Sequence, residues 1–189
     1  MFISVVIPTY NRRSILEKCL QALEHQDPSG EIESYEVVVV DDGSSDGTPD
    51  WLRQEEARFP HVRLIEQQHG GPAEGRNRGV DHAKGDVIVF IDSDLVVTSS
   101  FLASHARALS RRWNQQGNRL CFTYGAVINT ANFDQPTAER HKLRDLSWAY
   151  FATGNVAIDR DVLERSGLFD LGFRLYGWED LELGERLRQ

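Results

Sequence analysis

A chain of 189 residues, 40% hydrophobic and 26% charged, has ordinary globular composition and enough material for one substantial core. Its formal net charge of -8 argues against a nucleic-acid partner, and the basic pair Arg111-Arg112 reads as the solvated end of a helix. No apolar run approaches the roughly 20 residues of a membrane-spanning helix, the start Met1 to Pro8 lacks the flank and cleavage site of a signal peptide, and neither the two cysteines, Cys19 and Cys121, nor the six histidines show disulfide-framework or zinc-ligand spacing. A reducing cytoplasmic setting is the default expectation.

Phe2 to Ile7 reads as a short β-branched strand stopped by Pro8. Ser14 and Glu17 have capping-box spacing, and Ile15, Leu16, Cys19, Leu20 and Leu23 recur on one helical face. Tyr35 to Val40, with four consecutive valines, is a second strand that runs into a turn-rich loop, Asp41 to Gly47. Thr48 as N-cap and Pro49 in the first turn open a helix through Trp51 and Leu52. Val62 to Ile65 is a third strand. Gly70-Gly71-Pro72 opens another helix, with Arg76, Asn77 and Arg78 near its start and Ala83 near its end.

Val87 to Ile91 is the run around which the chain is organised. A continuous apolar segment this short reads as a strand buried on both faces, and Asp92, Ser93 and Asp94 follow it at once. Ser99 or Ser100 then caps a long amphipathic helix in which Phe101, Leu102, His105, Ala106 and Leu109 share a face. On that face His105 reads as a satisfied core histidine. Leu120 to Ile128 is a further strand. The polar stretch Asn129 to Arg144 breaks the rhythm and is expected to be mobile or to form a lid. A strand at Asn155 to Ile158, a helix around Val162 to Ser166 and a last helix from near Trp178, carrying Leu181, Leu183 and Leu187, complete the chain. Strand-helix alternation with short connections predicts an α/β domain with a largely parallel sheet and helices on both sides.

Three acidic clusters follow apolar or aromatic segments: Asp41-Asp42, Asp92/Asp94 and Glu179-Asp180. In open α/β sheets ligands collect at the carboxyl ends of strands. Gathered carboxylates repel one another and raise each other's pKa unless a cation compensates. A metal-bound diphosphate facing a base would account for the arrangement; three unrelated polar turns are the plain alternative.

Five segments carry a resemblance: VVIPTYNR at Val5 to Arg12, VVVVDDGSSDGT at Val37 to Thr48, GGPAEGRNRG at Gly70 to Gly79, FIDSD at Phe90 to Asp94 and GWEDLELGERL at Gly177 to Leu187. In this order and spacing they resemble family 2 glycosyltransferases of the GT-A fold. The resemblance implies a Rossmann-like α/β domain with a mixed, mostly parallel central sheet flanked by helices. Residues 1–98 would form the nucleotide-binding half and residues 99–189 the acceptor and catalytic half of one domain, truncated at its C-terminus.

The resemblance also implies roles. Pro8 and Tyr10 would line the base of a nucleotide-sugar donor, the Tyr by stacking. Asp42 would accept a hydrogen bond from an imino N-H of the base, usually uracil, with Asp41 supporting the loop; an acceptor-only carboxylate suits that donor. Arg76 would reach toward the nucleotide or its phosphates, whereas Arg78 reads equally as part of an exposed helix face. Asp92, Ser93 and Asp94 form the DXD motif: the first carboxylate toward the ribose or donor sugar, the second coordinating Mn²⁺ or Mg²⁺ across the diphosphate. In Glu179-Asp180 the Asp would be the catalytic base, held ionised by the helix N-terminus. Gly154 and Asn155 would contact donor or acceptor sugar, and Trp178 and Tyr176 would suit packing against a sugar ring. The expected reaction is metal-dependent, inverting transfer from a UDP-sugar to a hydroxyl of a saccharide, lipid-linked or other acceptor, in polysaccharide biosynthesis, with room for peripheral association at the cytoplasmic face of a membrane. A further metal ligand, often His, follows the ED motif in many relatives and has no counterpart before Gln189. Two other readings stand beside this one: a non-catalytic nucleotide-sugar-binding domain, and a sugar-phosphate nucleotidyltransferase. The second needs a glycine-rich phosphate loop, and Ile7 to Asn11 contains no glycine.

Overall fold

The computed structural model describes residues 1–130, 132–133, 151–173 and 178–188. Most of the stretch 129–144 expected to be mobile or a lid, and Tyr176, lie outside the described residues. In chain order the elements are β1 (Phe2–Thr9), α1 (Arg13–Glu24), β2 (Ser34–Asp41), α2 (Thr48–Gln54), β3 (Val62–Glu66), α3 (Pro72–His82), β4 (Val87–Ile91), α4 (Phe101–Gln116), β5 (Phe122–Tyr124), β6 (Asn155–Asp159), α5 (Arg160–Arg165) and α6 (Trp178–Arg186).

The strands form one sheet in the order β3-β2-β1-β4-β6-β5. β1 pairs in parallel with β2 and β4, and β2 with β3; β6 runs antiparallel to both β4 and β5. Alternate residues of β1, β2, β4 and β6 enter two cores. Ile3, Val5, Val37, Val89 and Ile91 pack under α1, α2 and α4, whereas Val6, Val38, Ile88, Phe90 and Val156 pack under α3, α5 and α6. Burial on both faces is why these strands read as unbroken apolar runs.

β1 continues two residues past the expected stop. Its ladder with β4 ends at Val6-Phe90, while on the other side Pro8 and Thr9 still face Val40 and Asp41. Pro8 therefore lies beyond the β4 ladder, where its missing N-H costs no strand bond.

Four local features differ from expectation. Ser14 makes no capping box, because α1 already starts at Arg13, and Thr48 is a helical residue rather than the N-cap, which is Gly47 at φ 81°. One side chain serves both helix starts instead: Asp46 accepts the Arg13 N-H at 3.0 Å through one oxygen, and the Thr48 N-H and hydroxyl at 3.1 and 2.6 Å through the other. Ser100 precedes α4 without a side-chain cap bond, while Gln26 reaches from the end of α1 to accept the Leu102 N-H at 3.0 Å. The strand expected over Leu120 to Ile128 shrinks to Phe122–Tyr124, since its partner β6 begins at Asn155 and offers no ladder past Tyr124-Val156.

α3 lies unusually close to the sheet. A Cβ on Gly79 would sit 2.3 Å from Val6 Cγ1, and one on Gly75 3.1 Å from Pro8 Cβ. These two glycines, four residues apart on one helix face, let the α3 backbone approach β1 and carry Arg76 to the sheet edge.

Candidate active site

The carboxyl ends of β1, β2 and β4 leave the sheet at one edge, and antiparallel β6 begins there, with Asn155 opposite Ile91. The loops after β1 and β2 are tied together: the Asn11 N-H donates to Ser44 Oγ, and Asn11 Oδ1 accepts from the Ser45 N-H, both at 2.8 Å. Asn11 takes φ 52° to do so, a left-handed conformation that Asn tolerates better than most residues.

Arg76 is the hub of the edge. Although 2% exposed, it donates from Nη2 to Asp92 Oδ1 at 3.2 Å and from Nη1 to Glu179 Oε1 at 3.3 Å, and Nη1 lies 3.9 Å from Asp180 Oδ1. Its guanidinium also stands 5.6 Å over the Phe169 ring. Two of the three acidic clusters thus share one cation. Three carboxylates around one guanidinium leave excess negative charge, which favours a further cation.

Asp180 is held by Thr153, whose N-H donates to Oδ2 at 3.0 Å and whose hydroxyl lies 3.0 and 2.9 Å from the two oxygens. Burial raises the Asp180 carboxyl above its ordinary value; Arg76 and the Thr153 hydrogen bonds pull it down, and neighbouring Glu179 pushes it up. This reverses the depression expected from the helix N-terminus. Desolvation wins because the carboxylate is largely enclosed, with 15% of the side chain still open. Glu179 itself is 3% exposed and turned inward on Arg76.

Asp94 is half exposed and ion-paired with Arg12, Ser93 is buried, and Asp92 keeps an oxygen toward Gly154, where a Cβ would lie 3.4 Å from Asp92 Oδ2. Among the described residues no group of three or more His, Cys, Asp or Glu could hold a metal ion by itself. Asp92 and Asp94 nevertheless fit a hard divalent cation that takes its other ligands from water and phosphate oxygens, a mode that needs only one or two carboxylates.

At the other end of the edge, Asp42 is 4% exposed and its carboxylate is fully engaged. Oδ1 accepts from Gln67 Nε2 at 2.7 Å and the Gly70 N-H at 2.8 Å; Oδ2 accepts from the Gly71 N-H at 2.9 Å, with His69 Nδ1 also at 2.9 Å. Asp42 thereby shapes the loop that opens α3. Asp41 accepts the Ser44 N-H at 2.9 Å. Tyr10 is 44% exposed, and its ring lies 4.3 Å from that of His69, tilted by 32°. Trp178 is 56% exposed at the start of α6. Beside the DXD segment opens a cavity of about 790 Å³, lined by Asp92, Asp94, Phe101, His105, Gly154 and Asn155 among others.

Residues 4–167 match the family described as Glycosyl transferase family 2. The chain belongs to that family. Among curated relatives of this family-2 chain, the uncharacterized glycosyltransferase YfnE of Bacillus subtilis is 27% identical over 98% of this chain and 60% of its own length. The validoxylamine A glucosyltransferase of Streptomyces hygroscopicus subsp. jinggangensis is 32% identical over 98% of this chain and 51% of its own length. The chain thus spans between half and two thirds of these relatives. Among solved structures, the mannosyltransferase PcManGT from Pyrobaculum calidifontis in complex with GDP-Man and Mn2+ superposes with a TM-score of 0.71 at 24% identity, covering 98% of this chain and 51% of that one. S. aureus TarS 1-349 in complex with UDP gives 0.69 at 24% identity, covering 99% and 55%. The fold is that of the GT-A glycosyltransferases.

Of the residues singled out in this family-2 sequence, Arg76, Asp92, Glu179 and Asp180 meet directly, and Gly154 adjoins Asp92. Pro8, Tyr10, Asp41 and Asp42 lie at the β1 and β2 end of the edge, Asn155 lines the cavity, and Trp178 stands at the start of α6. Thr153, His69 and Phe169 were missed. Thr153 carried a signal in its adjacency to Gly154-Asn155; Phe169 carried none, since only folding brings it under Arg76.

Proposed function

We propose that this chain carries the catalytic core of an inverting glycosyltransferase that moves a sugar from a UDP-sugar to a hydroxyl acceptor with the help of Mn²⁺ or Mg²⁺. The observation that carries this reading is the meeting of Asp92 and Asp180 on Arg76, which joins the DXD segment to the ED segment across a sequence separation of 88 residues. Transfer of this kind needs an anion-binding end and a base end a short reach apart.

Tyr10 and His69 offer ring faces to the nucleobase. Asp42 receives the imino N-H at Oδ2 in place of His69, whose side chain is exposed, while its remaining bonds keep the loop in shape. Asp92 and Asp94 would hold the cation, which when bound supplies charge neutralisation for the departing diphosphate. Arg12 releases Asp94 at little cost, because an exposed ion pair contributes about 0–1 kcal/mol, and turns to the phosphates.

Asp180 takes the acceptor's proton as the acceptor oxygen bonds to the anomeric carbon. The bond from that carbon to the phosphate oxygen breaks at the same time, and the nucleoside diphosphate leaves with the electron pair. Attack from the opposite face inverts the anomeric configuration. Thr153 aims the carboxylate, and the raised pKa of Asp180 makes it a stronger base than an exposed aspartate. Glu179 keeps Arg76 neutralised from below and stays out of proton transfer.

A panel of nucleotide sugars, incubated with and without Mn²⁺, tests the reading by donor turnover. UDP-sugar consumption that rises with Mn²⁺ and with an added hydroxyl acceptor is expected. Pyrophosphate release from a nucleoside triphosphate and a sugar phosphate, with no turnover of any nucleotide sugar, would assign the fold to nucleotidyl transfer instead.

A further inference from the structure

His105 belongs to the face of α4 that enters the core, and it is 6% exposed. A buried imidazole needs both nitrogens satisfied. Here Nδ1 lies 2.7 Å from the Thr123 hydroxyl of β5, and Nε2 lies 2.8 Å from Asn155 Oδ1 at the start of β6. Burial lowers the His105 pKa, with the Asn155 hydrogen bond opposing, so the ring is neutral at physiological pH and carries a single N-H.

An amide oxygen only accepts. The single N-H therefore sits on Nε2 and points at Asn155, and Nδ1 accepts the Thr123 hydroxyl proton. With that pairing the oxygen end of the Asn155 amide faces the core. The NH₂ end is turned the other way, toward Gly125 and Ala126: a Cβ on Gly125 would lie 2.4 Å from Asn155 Nδ2, and the Ala126 carbonyl stands 3.5 Å away, a long contact that leaves donor capacity unused. His105, Thr123, Gly125 and Asn155 all line the cavity that begins at Asp92 and Asp94.

Resting on the proposed sugar transfer, we infer that His105 is a positioning residue that locks the Asn155 amide with its NH₂ toward the cavity, so that a sugar hydroxyl entering there meets a fixed donor and is selected by the direction of that hydroxyl. An amide free to turn over would present oxygen or nitrogen with similar ease and would discriminate less between epimers. The lock is built from neutral groups on three elements, and its polarity is set by the Ala126 carbonyl, which can only accept and so keeps the NH₂ end of the amide on its side.

Epimer discrimination tests it. For the preferred UDP-hexose and its C2 and C4 epimers, kcat/KM is measured in wild type, His105→Gln, His105→Leu and Thr123→Val. His105→Gln retains an N-H donor near the Nε2 position and should keep most of the wild-type preference. His105→Leu and Thr123→Val should each reduce the preference for one epimer by about fivefold to tenfold, the worth of one hydrogen bond, chiefly through KM, with kcat for the preferred donor little changed. Equal losses for all epimers in His105→Leu and Thr123→Val, or an unchanged preference together with a lower melting temperature, would reduce His105 to a packing residue. That failure is distinct from failure of the proposed transfer, which shows as absence of turnover in the wild type.

Discussion

Thr153 donates its backbone N-H to Asp180 at 3.0 Å, and its hydroxyl stands 2.9 Å from the same carboxylate oxygen. A base so held cannot rotate away from its work, and the two groups come from segments 27 residues apart. Asp180→Asn keeps the shape and an acceptor for Thr153 but cannot take a proton. Transfer should fall by about 10²–10⁴-fold while donor affinity is retained, measured by initial rates and by calorimetric binding of the donor.

The direction of the Asp180 shift has two consequences for pH. Burial favours the neutral acid, so activity is expected to rise with pH through a value above the ordinary 3.8, and the acid limb of kcat/KM should lie above that of an exposed aspartate. For stability the sign follows from the same shift. A carboxyl whose folded pKa is raised contributes stability below its unfolded pKa, and that contribution is lost as pH rises through the folded value. Asp180→Asn should therefore melt at or above the wild-type temperature at pH 7, with the gap closing as pH falls toward 4. Thermal melts across that range check it.

Arg76→Met removes the shared cation and leaves Glu179 buried without a counter-charge. The loss should destabilise the fold by about 3–5 kcal/mol, read from urea melts. Adding Glu179→Gln to Arg76→Met should recover part of that loss, because the uncompensated buried charge is then gone.

Gly79→Ala places a methyl group 2.3 Å from Val6 Cγ1, where helix and strand have no room to part without shifting Arg76. Overpacking of this kind costs about 1–3 kcal/mol. The variant should lose both stability and transfer, whereas Gly30→Ala, at a site with open space around it, should lose neither. Parallel melts and rates on the two variants test this.

Much of the fold was legible in the residues because doubly buried strands must be apolar at every position. Val37 to Val40 and Val87 to Ile91 declare themselves in that way, and the acids that follow them must then lie at one sheet edge. Helix starts were less legible. Ser14 and Thr48 have the chemistry of caps, but Asp46 outcompetes both from a loop that only folding brings into place. Leu120 to Ile128 has the composition of a long strand, yet an edge strand extends only as far as its neighbour does. In the site, the acidic pairs could be read directly, whereas the burial of Arg76 could not, since Glu179 lies 103 residues away and Phe169 carries no chemical signature. His105 reads as a core histidine and is one; its partner across 50 residues gives it a second meaning.

The proposed transfer turns on one edge of the sheet holding both the diphosphate-binding acids and the base. Melting temperature with UDP, with and without Mn²⁺, in wild type, Asp94→Ala and Asp180→Asn tests this most directly when paired with transfer rates on the same samples. The expected result is a UDP-induced rise that requires Mn²⁺, is lost in Asp94→Ala and persists in Asp180→Asn, with transfer lowered by about 10²-fold or more in both variants. A metal-independent shift that survives Asp94→Ala, or an Asp180→Asn protein that transfers sugar at close to the wild-type rate, would contradict it.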